Sequence, residues 1–328
     1  MTDILKINDL CVSFKDGDSQ LNVLDHVSLK LSKGKTLGLV GESGCGKSVT
    51  SVSIMRLLPQ PAGVISKGEI LFNDLDLATT SSENLRNIRG NRIAMIFQEP
   101  MTALNPVKSI GSQLLEVFKL HRQELSKKES YLASLSMLEK VGIPEAAIRM
   151  SEFPHQLSGG MRQRVVIAMA LACKPDILIA DEPTTALDVT IQAQIIELMR
   201  SLQEEYGMAI LLITHDLGVV AELCDDVSVM YAGRVVEEAP VVEVFNNAKH
   251  PYTQGLLSSI PRLTDPFKER LTTIPGQVPS LKEMPKGCRF RNRCQHSEAK
   301  CGDQSYLMHD VKSNHKVNCY KWETLNNA

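Results

Sequence analysis

The chain has 328 residues, 43% of them hydrophobic and 23% charged, and its 36 basic and 38 acidic residues leave a formal net charge of −2. That length allows one large domain with an appendage or two modest ones, and the even charge balance, that of a solvated mixed surface, gives no basic excess that would point to nucleic acid. No apolar run reaches the roughly 18 residues that span a bilayer, and "MTDILKINDL", with an acid at Asp3, lacks the basic-then-apolar pattern of a secretory signal, which points to the cytoplasm.

In chain order, short apolar runs read as strands: "ILKINDLCVSF" from Ile4, "TLGLV" from Thr36, "RIAMIF" from Arg92, "DILIA" from Asp176 and "AILLIT" from Ala209. The last four are apolar on both faces, as the buried centre of a helix-covered parallel sheet requires. Helical patterns alternate with them: "SIGSQLLEVFKLH" from Ser109, "YLASLSMLEKVG" from Tyr131 and "IQAQIIELMRSLQEEYG" from Ile191. This alternation predicts an α/β fold. The first 75 or so residues are strand-rich, with turns expected at Lys33-Gly34 and Lys67-Gly68, and predict a small antiparallel sheet beside the main one. A helical subdomain is expected over about 100–160. After about 240 the texture changes. "HPYTQGLLSSIPR" reads as a short helix ending at Pro261, followed by Pro- and Gly-punctuated chain. The expected organisation is a domain over 1–240 and an extension over 241–328, without internal repeats.

"GLVGESGCGKSVTS" carries Gly41-x4-Gly46-Lys47-Ser48, the phosphate-loop pattern, between a strand and a helical stretch. Glycines let backbone N–H groups converge on phosphate oxygens, and the following helix adds its positive end. Lys47 reaches the β- and γ-phosphates, and the Ser48 hydroxyl coordinates Mg²⁺. Gly41, Glu42, Ser43, Gly44, Cys45, Gly46, Lys47, Ser48 and Val49 are therefore candidate nucleotide contacts. Cys45 reads as a tolerated small side chain rather than a redox switch.

"DILIADEPTTALD" ends a buried strand in Asp181-Glu182. Asp181 is the candidate for the Mg²⁺ shell and Glu182 for the base that polarises the attacking water, although two acids before a helix can also be plain caps. "AILLITHDL" ends in His215, a candidate water orienter, and "IAMIFQEP" in Gln98, a neutral sensor of water, Mg²⁺ or γ-phosphate. "HQLSGGMRQRVVIAMALA" places Ser158 as an N-cap and Gly159-Gly160 at the opening of a long helix, a second anion site. Two phosphate-binding surfaces of different grammar imply two nucleotides, or one shared between subunits.

These motifs together resemble the ATP-binding cassette of ABC transporters over residues 1 to about 260, with a phosphate-loop, RecA-like core. The resemblance implies a head-to-tail dimer with ATP between one phosphate loop and the partner's "LSGGM", Phe14 in "CVSF" stacking on adenine where Tyr is commoner, and Asp188 in the loop that communicates across the dimer. "QEPMTALNPVKSIGSQ", "HQLSGGMRQR" and "HPYTQGLL" are similar to the dipeptide and oligopeptide importer cassettes, with nickel importers close by. That similarity implies a peripheral ATPase on the cytoplasmic membrane face. Its implied partners are a second and usually different cassette, two permease subunits and, through them, an extracytoplasmic solute-binding protein. A coupling helix of the permease would enter a groove of the helical subdomain, with Met101 and Leu104 as apolar contacts.

The tail places Cys288, Cys294, Cys301 and Cys319 as C-x5-C-x6-C-x17-C. Clustered thiols in a reducing compartment favour metal over disulfide. The spacing is not the C-x2-C pair of a zinc ribbon, and wide uneven loops fit an iron–sulfur cube. Zinc, no metal, and substitution of a thiolate by His296, His309 or His315 remain open alternatives. Some peptide-importer ATPases with a similar tail are associated with a four-iron, four-sulfur cluster. The expected role is a structural clip for a segment poor in apolar periodicity.

Overall fold

The computed structural model describes residues 2–17, 19–98, 103–185, 187–261, 273–303 and 305–325. The long strands β1 (Asp3–Asp16) and β2 (Ser19–Ser32) precede β3 (Thr36–Val40), helix α1 (Lys47–Ile54), β4 (Gly63–Phe72) and β5 (Leu75–Asp76). Then follow α2 (Ser82–Ile88), β6 (Ile93–Ile96), α3 (Ile110–His121), α4 (Lys127–Lys140), α5 (Ala146–Arg149) and α6 (Gly159–Leu171). Next come β7 (Ile177–Asp181), α7 (Val189–Tyr206), β8 (Ala209–Thr214), α8 (Leu217–Leu223), β9 (Asp226–Tyr231) and β10 (Arg234–Pro240). The chain closes with α9 (Val241–Asn247), α10 (Pro251–Ser258), β11 (His309–Lys312) and β12 (His315–Val317).

Two compact units emerge, one built chiefly on Thr80–Leu212 with Ser32–Lys35, the other on Asp3–Leu31, Thr36–Thr79 and the described part of Ile213–Ala328. In the first, β6 and β7 pair in parallel, Ile93 opposite Ile177 and Ile96 opposite Ala180. β7 is buried throughout, which explains its unbroken apolar run. Helices α3 to α6 form the expected helical region. The pattern from Tyr131 begins a turn earlier than its apolar residues announce. A capping box opens α4 at Lys127, with the Ser126 hydroxyl accepting from the Glu129 N–H and the Glu129 carboxylate accepting from the Ser126 N–H.

In the second unit, β2-β1-β4-β5 form the expected antiparallel sheet. Lys67-Gly68 is not a turn. It lies inside β4, where the register against β1 slips between Asn8 and Val12. Gly68 has φ +91°, and a Cβ there would stand 2.5 Å from the Asp9 carbonyl oxygen, so the glycine marks a bulge. The same unit holds β3 parallel to β9 and β9 antiparallel to β10.

The C-terminal part of the chain contributes β12 to this second unit, paired with β10 with Glu237 opposite Val317. Glu237 is fully buried. Its carboxylate accepts from the N–H groups of Lys249 at 2.6 Å and His250 at 2.9 Å, and from His315 Nε2 at 2.8 Å. One buried acceptor thus gathers β10, the start of α10 and the tail strand.

His250 caps α10, its Nδ1 accepting from the Tyr252 N–H at 3.1 Å. Burial pushes its pKa from 6.5 down to about 4, against the opposing pull of Glu237. The imidazole is neutral in the fold, and the unfolded chain binds more protons between those values. Its contribution is therefore complete above about pH 6.5 and is lost as pH falls towards 4. His250→Asn keeps a capping acceptor and removes the titration. The difference in melting temperature between wild type and variant should shrink on acidification from pH 7 to pH 4.5; a constant difference would contradict the assignment.

Candidate functional site

The phosphate loop links β3 to α1. Gly44 and Gly46 adopt φ +78° and +106°, and a Cβ on Gly46 would stand 2.8 Å from Leu24 Cδ2. At Gly41 a Cβ would stand 2.2 Å from the Met230 carbonyl oxygen. The loop is therefore confined to glycine at the points where it turns against its neighbours. Lys47 is 5% exposed, and its Nζ donates to the carbonyls of Gly41 at 2.7 Å and Glu42 at 3.1 Å. The Gly233 N–H donates to the Cys45 carbonyl at 2.8 Å, and the Thr50 hydroxyl to that of Gly46 at 3.1 Å. Cys45 is 1% exposed and burial pushes its thiol pKa up, the behaviour of a packed small side chain. Ser48 and Val49 open α1 beside it.

His215, in the turn after β8, reaches the same place. It lines, with Gly41, Glu42, Leu217 and Ile274, a cavity of about 320 Å³. Phe14 is half-buried and pairs across β1–β4 with Gly63. A Cβ on Gly63 would lie 3.1 Å from the Phe14 ring, so the glycine leaves room for that ring.

In the other unit, Asp181 is 3% exposed at the C-terminal end of β7. Glu182 follows in the left-handed region at φ +50°, an uncommon conformation for a residue with a Cβ. Its carboxylate accepts from Gln98 Nε2 at 3.1 Å and the Thr185 hydroxyl at 2.9 Å. Two residues singled out from separate strands are thus brought into contact. Ser158 caps α6, its hydroxyl accepting from the Met161 N–H at 3.3 Å. A Cβ on Gly159 would meet nothing within 4 Å, and one on Gly160 would meet Ile191 at 3.1 Å. Asp188 caps α7, accepting from the Ile191 N–H at 2.9 Å.

This unit also carries a cavity of about 490 Å³ whose wall includes Phe97, Val117, Leu120 and Met169. Phe97 and Leu120 are 46% and 61% exposed. Of the two apolar contacts expected in that region, Met101 lies outside the described residues. Leu104 is 2% exposed and packs inward, so Phe97 and Leu120 supply the exposed apolar surface instead.

The four tail cysteines line one common cavity with Phe290 and Tyr320. Burial raises the thiol pKa of Cys288 and Cys294 and pushes that of Cys319 up to about 11. Cys301 is buried, and its carbonyl accepts from the Cys288 N–H at 2.8 Å.

Several residues were not predicted as part of a site. Arg293 donates from Nη1 and Nη2 to the two carboxylate oxygens of Glu42 at 2.5 and 2.9 Å. Tyr252 Oη accepts from the Glu42 N–H at 2.8 Å. Gln163, fully buried on α6, donates to the Pro183 carbonyl at 2.6 Å. Their partners are 20 to 251 positions away, and no local spacing announces them.

A phosphate loop with its lysine, an acid pair ending a second strand against a glutamine, and a glycine-opened helix define a nucleoside-triphosphatase cassette. The profile described as "ABC transporter" matches residues 24–185, and that described as "Oligopeptide/dipeptide transporter, C-terminal region" matches 236–301. The chain is 50% identical over 317 residues to the oligopeptide transport ATP-binding protein OppD of Bacillus subtilis, covering 97% of this chain and 88% of that one. It is also 50% identical over 321 residues to the dipeptide transport ATP-binding protein DppD of the same organism, covering 98% and 95%. The solved structure of a dimeric bacterial ABC transporter cassette matches with TM-score 0.65 and 28% identity over 72% of this chain and 98% of its own. The same cassette in a post-hydrolysis state with ADP and phosphate matches equally well. The chain belongs to the ATP-binding subunits of ABC transporters and is an ATPase of that family.

Gly41→Ala forces a methyl into the Met230 backbone, and the loop must move. ATP binding, followed by equilibrium dialysis, should weaken at least about tenfold while the far-ultraviolet spectrum is retained. Wild-type affinity would show that the loop absorbs the methyl.

Proposed function

We propose that this chain is the ATP-hydrolysing subunit of a multi-subunit importer of dipeptides or oligopeptides. The observation that carries this reading is the phosphate loop, with Lys47 drawn across its mouth and His215 in the same cavity. The C-terminal region shared with oligopeptide and dipeptide transporters favours peptide over nickel or another small solute. No helix among the described residues is long and apolar enough to cross a membrane. In this reading the chain works at the cytoplasmic face through permease subunits, as transporter ATP-binding subunits of the matched family do, and the permease meets a solute-binding protein on the other side. The apolar groove at Phe97 and Leu120 is the surface offered to a permease coupling helix. We read the sequence as a cassette over 1–240 with an extension over 241–328, paired with a second, usually different cassette.

In this reading Gly41 to Val49 wrap the triphosphate, Lys47 meets its β- and γ-phosphates, and Ser48, Asp181 and Gln98 serve Mg²⁺. Phe14 stacks on adenine. Ser158, Gly159 and Gly160 face the nucleotide of the partner cassette, and Asp188 lies in the loop that links the two. Glu182 is the general base, aimed by Gln98 and Thr185, and its left-handed backbone is the strain expected of a reacting residue. His215 orients the water. ATP binds the closed dimer more tightly than the open one, so its binding closes the cassettes and its hydrolysis releases them. Glu182→Gln should lower turnover by about 10²- to 10⁴-fold while ATP binding persists and a dimer accumulates on size exclusion. Turnover within a few-fold of wild type would remove Glu182 from the role of base.

The tail cysteines fit a metal centre on chemical grounds. Four thiols share one cavity, and burial resists the ionisation of Cys288, Cys294 and Cys319 unless a cation is present to hold the thiolates. A single tetrahedral zinc with bonds of about 2.3 Å draws its sulfurs to about 3.8 Å from one another. The one grouping of ligand atoms within 4.8 Å among the described residues is instead Cys11, Asp25 and His26. Asp25 there is already paired with Arg234 and Arg289 at 2.7 and 2.6 Å, so the grouping carries its own positive charge. The wide, uneven spacing C-x5-C-x6-C-x17-C is the ground for reading a four-iron, four-sulfur cluster rather than zinc, with Cys288, Cys294, Cys301 and Cys319 as its ligands. When bound, the cluster would supply a covalent clip for the tail. Protein purified without oxygen should be brown and hold about four irons per chain, and Cys288→Ser should lose both colour and iron. A colourless wild type would favour zinc or no metal.

A further inference from the structure

Arg293 has no part in the hydrolytic cycle set out above, yet it is among the most constrained cations of its unit. Its side chain is 5% exposed. The guanidinium makes a two-pronged bond to the Glu42 carboxylate at 2.5 and 2.9 Å, the planar match of fork to fork. Its Nε donates to the Pro275 carbonyl at 2.9 Å and Nη2 also to that of Ile274 at 3.3 Å. Its centre lies 5.7 Å from the Tyr231 ring and 5.9 Å from that of Phe290. The Glu42 carboxylate lowers the energy of the buried charge, and each group is costly without the other.

The two ends of this pair sit on different machinery. Glu42 is the second residue of the phosphate loop, and its carbonyl accepts from Lys47 Nζ. Arg293 directly precedes Cys294 and closes the turn that begins at Cys288. The Arg291 N–H donates to the Cys288 carbonyl at 3.2 Å, and the Arg293 N–H to that of Phe290 at 2.9 Å. Residues Thr273 and Ile274 wall two cavities. One, of about 190 Å³, also touches Phe290, Arg293 and His296. The other, of about 320 Å³, touches Gly41, Glu42 and His215. Phe290 and His296 in turn line the cavity of the four cysteines. A packed route therefore runs from the thiol shell through Arg293 to the loop.

We propose that Arg293 is a positioning residue for the phosphate loop, and that through it the occupancy of the four-thiol shell sets the affinity for nucleoside triphosphate. The coupling rests on the reading of that shell as a metal centre. With all four thiolates tied, the turn from Cys288 to Cys294 is fixed and presents the guanidinium to Glu42. With the shell emptied, the turn gains conformational freedom, the two-pronged bond must be made against that entropy, and the loop loses its rear support.

The test uses the full chain, handled without oxygen, with iron content, ATP affinity and steady-state KM and kcat measured on each preparation. Removing iron from wild type with a chelator should raise the Kd for ATP about tenfold, the scale of one charge-assisted bond. Arg293→Met should hold wild-type iron, show a similar rise in Kd, carry the loss mainly in KM, and no longer respond to the chelator. Arg293→Lys should recover part of the affinity. Wild-type affinity in iron-loaded Arg293→Met would overturn the positioning role. A chelator response that survives in that variant would overturn the coupling. Wild type that holds no iron would remove the shell reading and the coupling with it, while the affinity of Arg293→Met still decides the role of the arginine.

Discussion

A loop that offers its backbone N–H groups to phosphate must be held chiefly by its other groups. That constraint organises the phosphate-loop unit. The loop is supported through its carbonyls and its outer side chains: Gly233 on the Cys45 carbonyl, Thr50 on that of Gly46, and Lys47 on those of Gly41 and Glu42. Behind it, Tyr252 takes the Glu42 N–H and Arg293 the Glu42 carboxylate. Glycines permit the turns, but packing against Met230 and Leu24 makes the turns unique. Such a loop is preorganised. Little ordering remains to be done when nucleotide arrives, and this favours tight binding.

The same logic recurs at the acid pair in the other unit. Glu182 sits at φ +50°, which costs on the order of 1–3 kcal/mol unless its surroundings over-determine it. They do so at several points. Gln98 and Thr185 fix the carboxylate, and Gln163 fixes the carbonyl of the next residue from a fully buried position on α6. That last bond ties the helix opened by Ser158 to the loop after β7. A shift of α6 would therefore bear on the loop that carries Glu182 through this one hydrogen bond.

Much of this was legible in the sequence because it is local. Buried strands announce themselves as unbroken apolar runs, and β3, β7 and β8 are buried at every position. Ser158 precedes its helix as a capping residue must. The phosphate loop is one contiguous pattern. What escaped is non-local. Gly68 looked like a turn because a bulge and a turn use the same residue, and only the opposing Asp9 distinguishes them. Leu104 looked like an exposed contact because an apolar residue in a Pro-bounded loop carries no sign of which way it faces. Glu237 stands in the sequence as one of two adjacent acids, and its three donors lie 12 to 78 residues further on.

Glu237 also shows how a tail can become part of an engine. A carboxylate with no exposure is tolerable only when donors surround it, and here those donors are the two residues that precede α10 and a histidine of β12. Holding the start of α10 places Tyr252, two residues beyond His250, behind the phosphate loop. The aromatic cluster of Tyr231, Tyr252 and Phe290, with ring centres 4.7 to 5.4 Å apart, then binds the tail to the same wall. In the pattern G-x4-G-K-S, chemistry demands the glycines, the lysine and the serine and leaves the intervening positions open. Glu42 occupies the first of those open positions. Its side chain is therefore a place where a distant segment can grip the loop without replacing a glycine, the lysine or the serine.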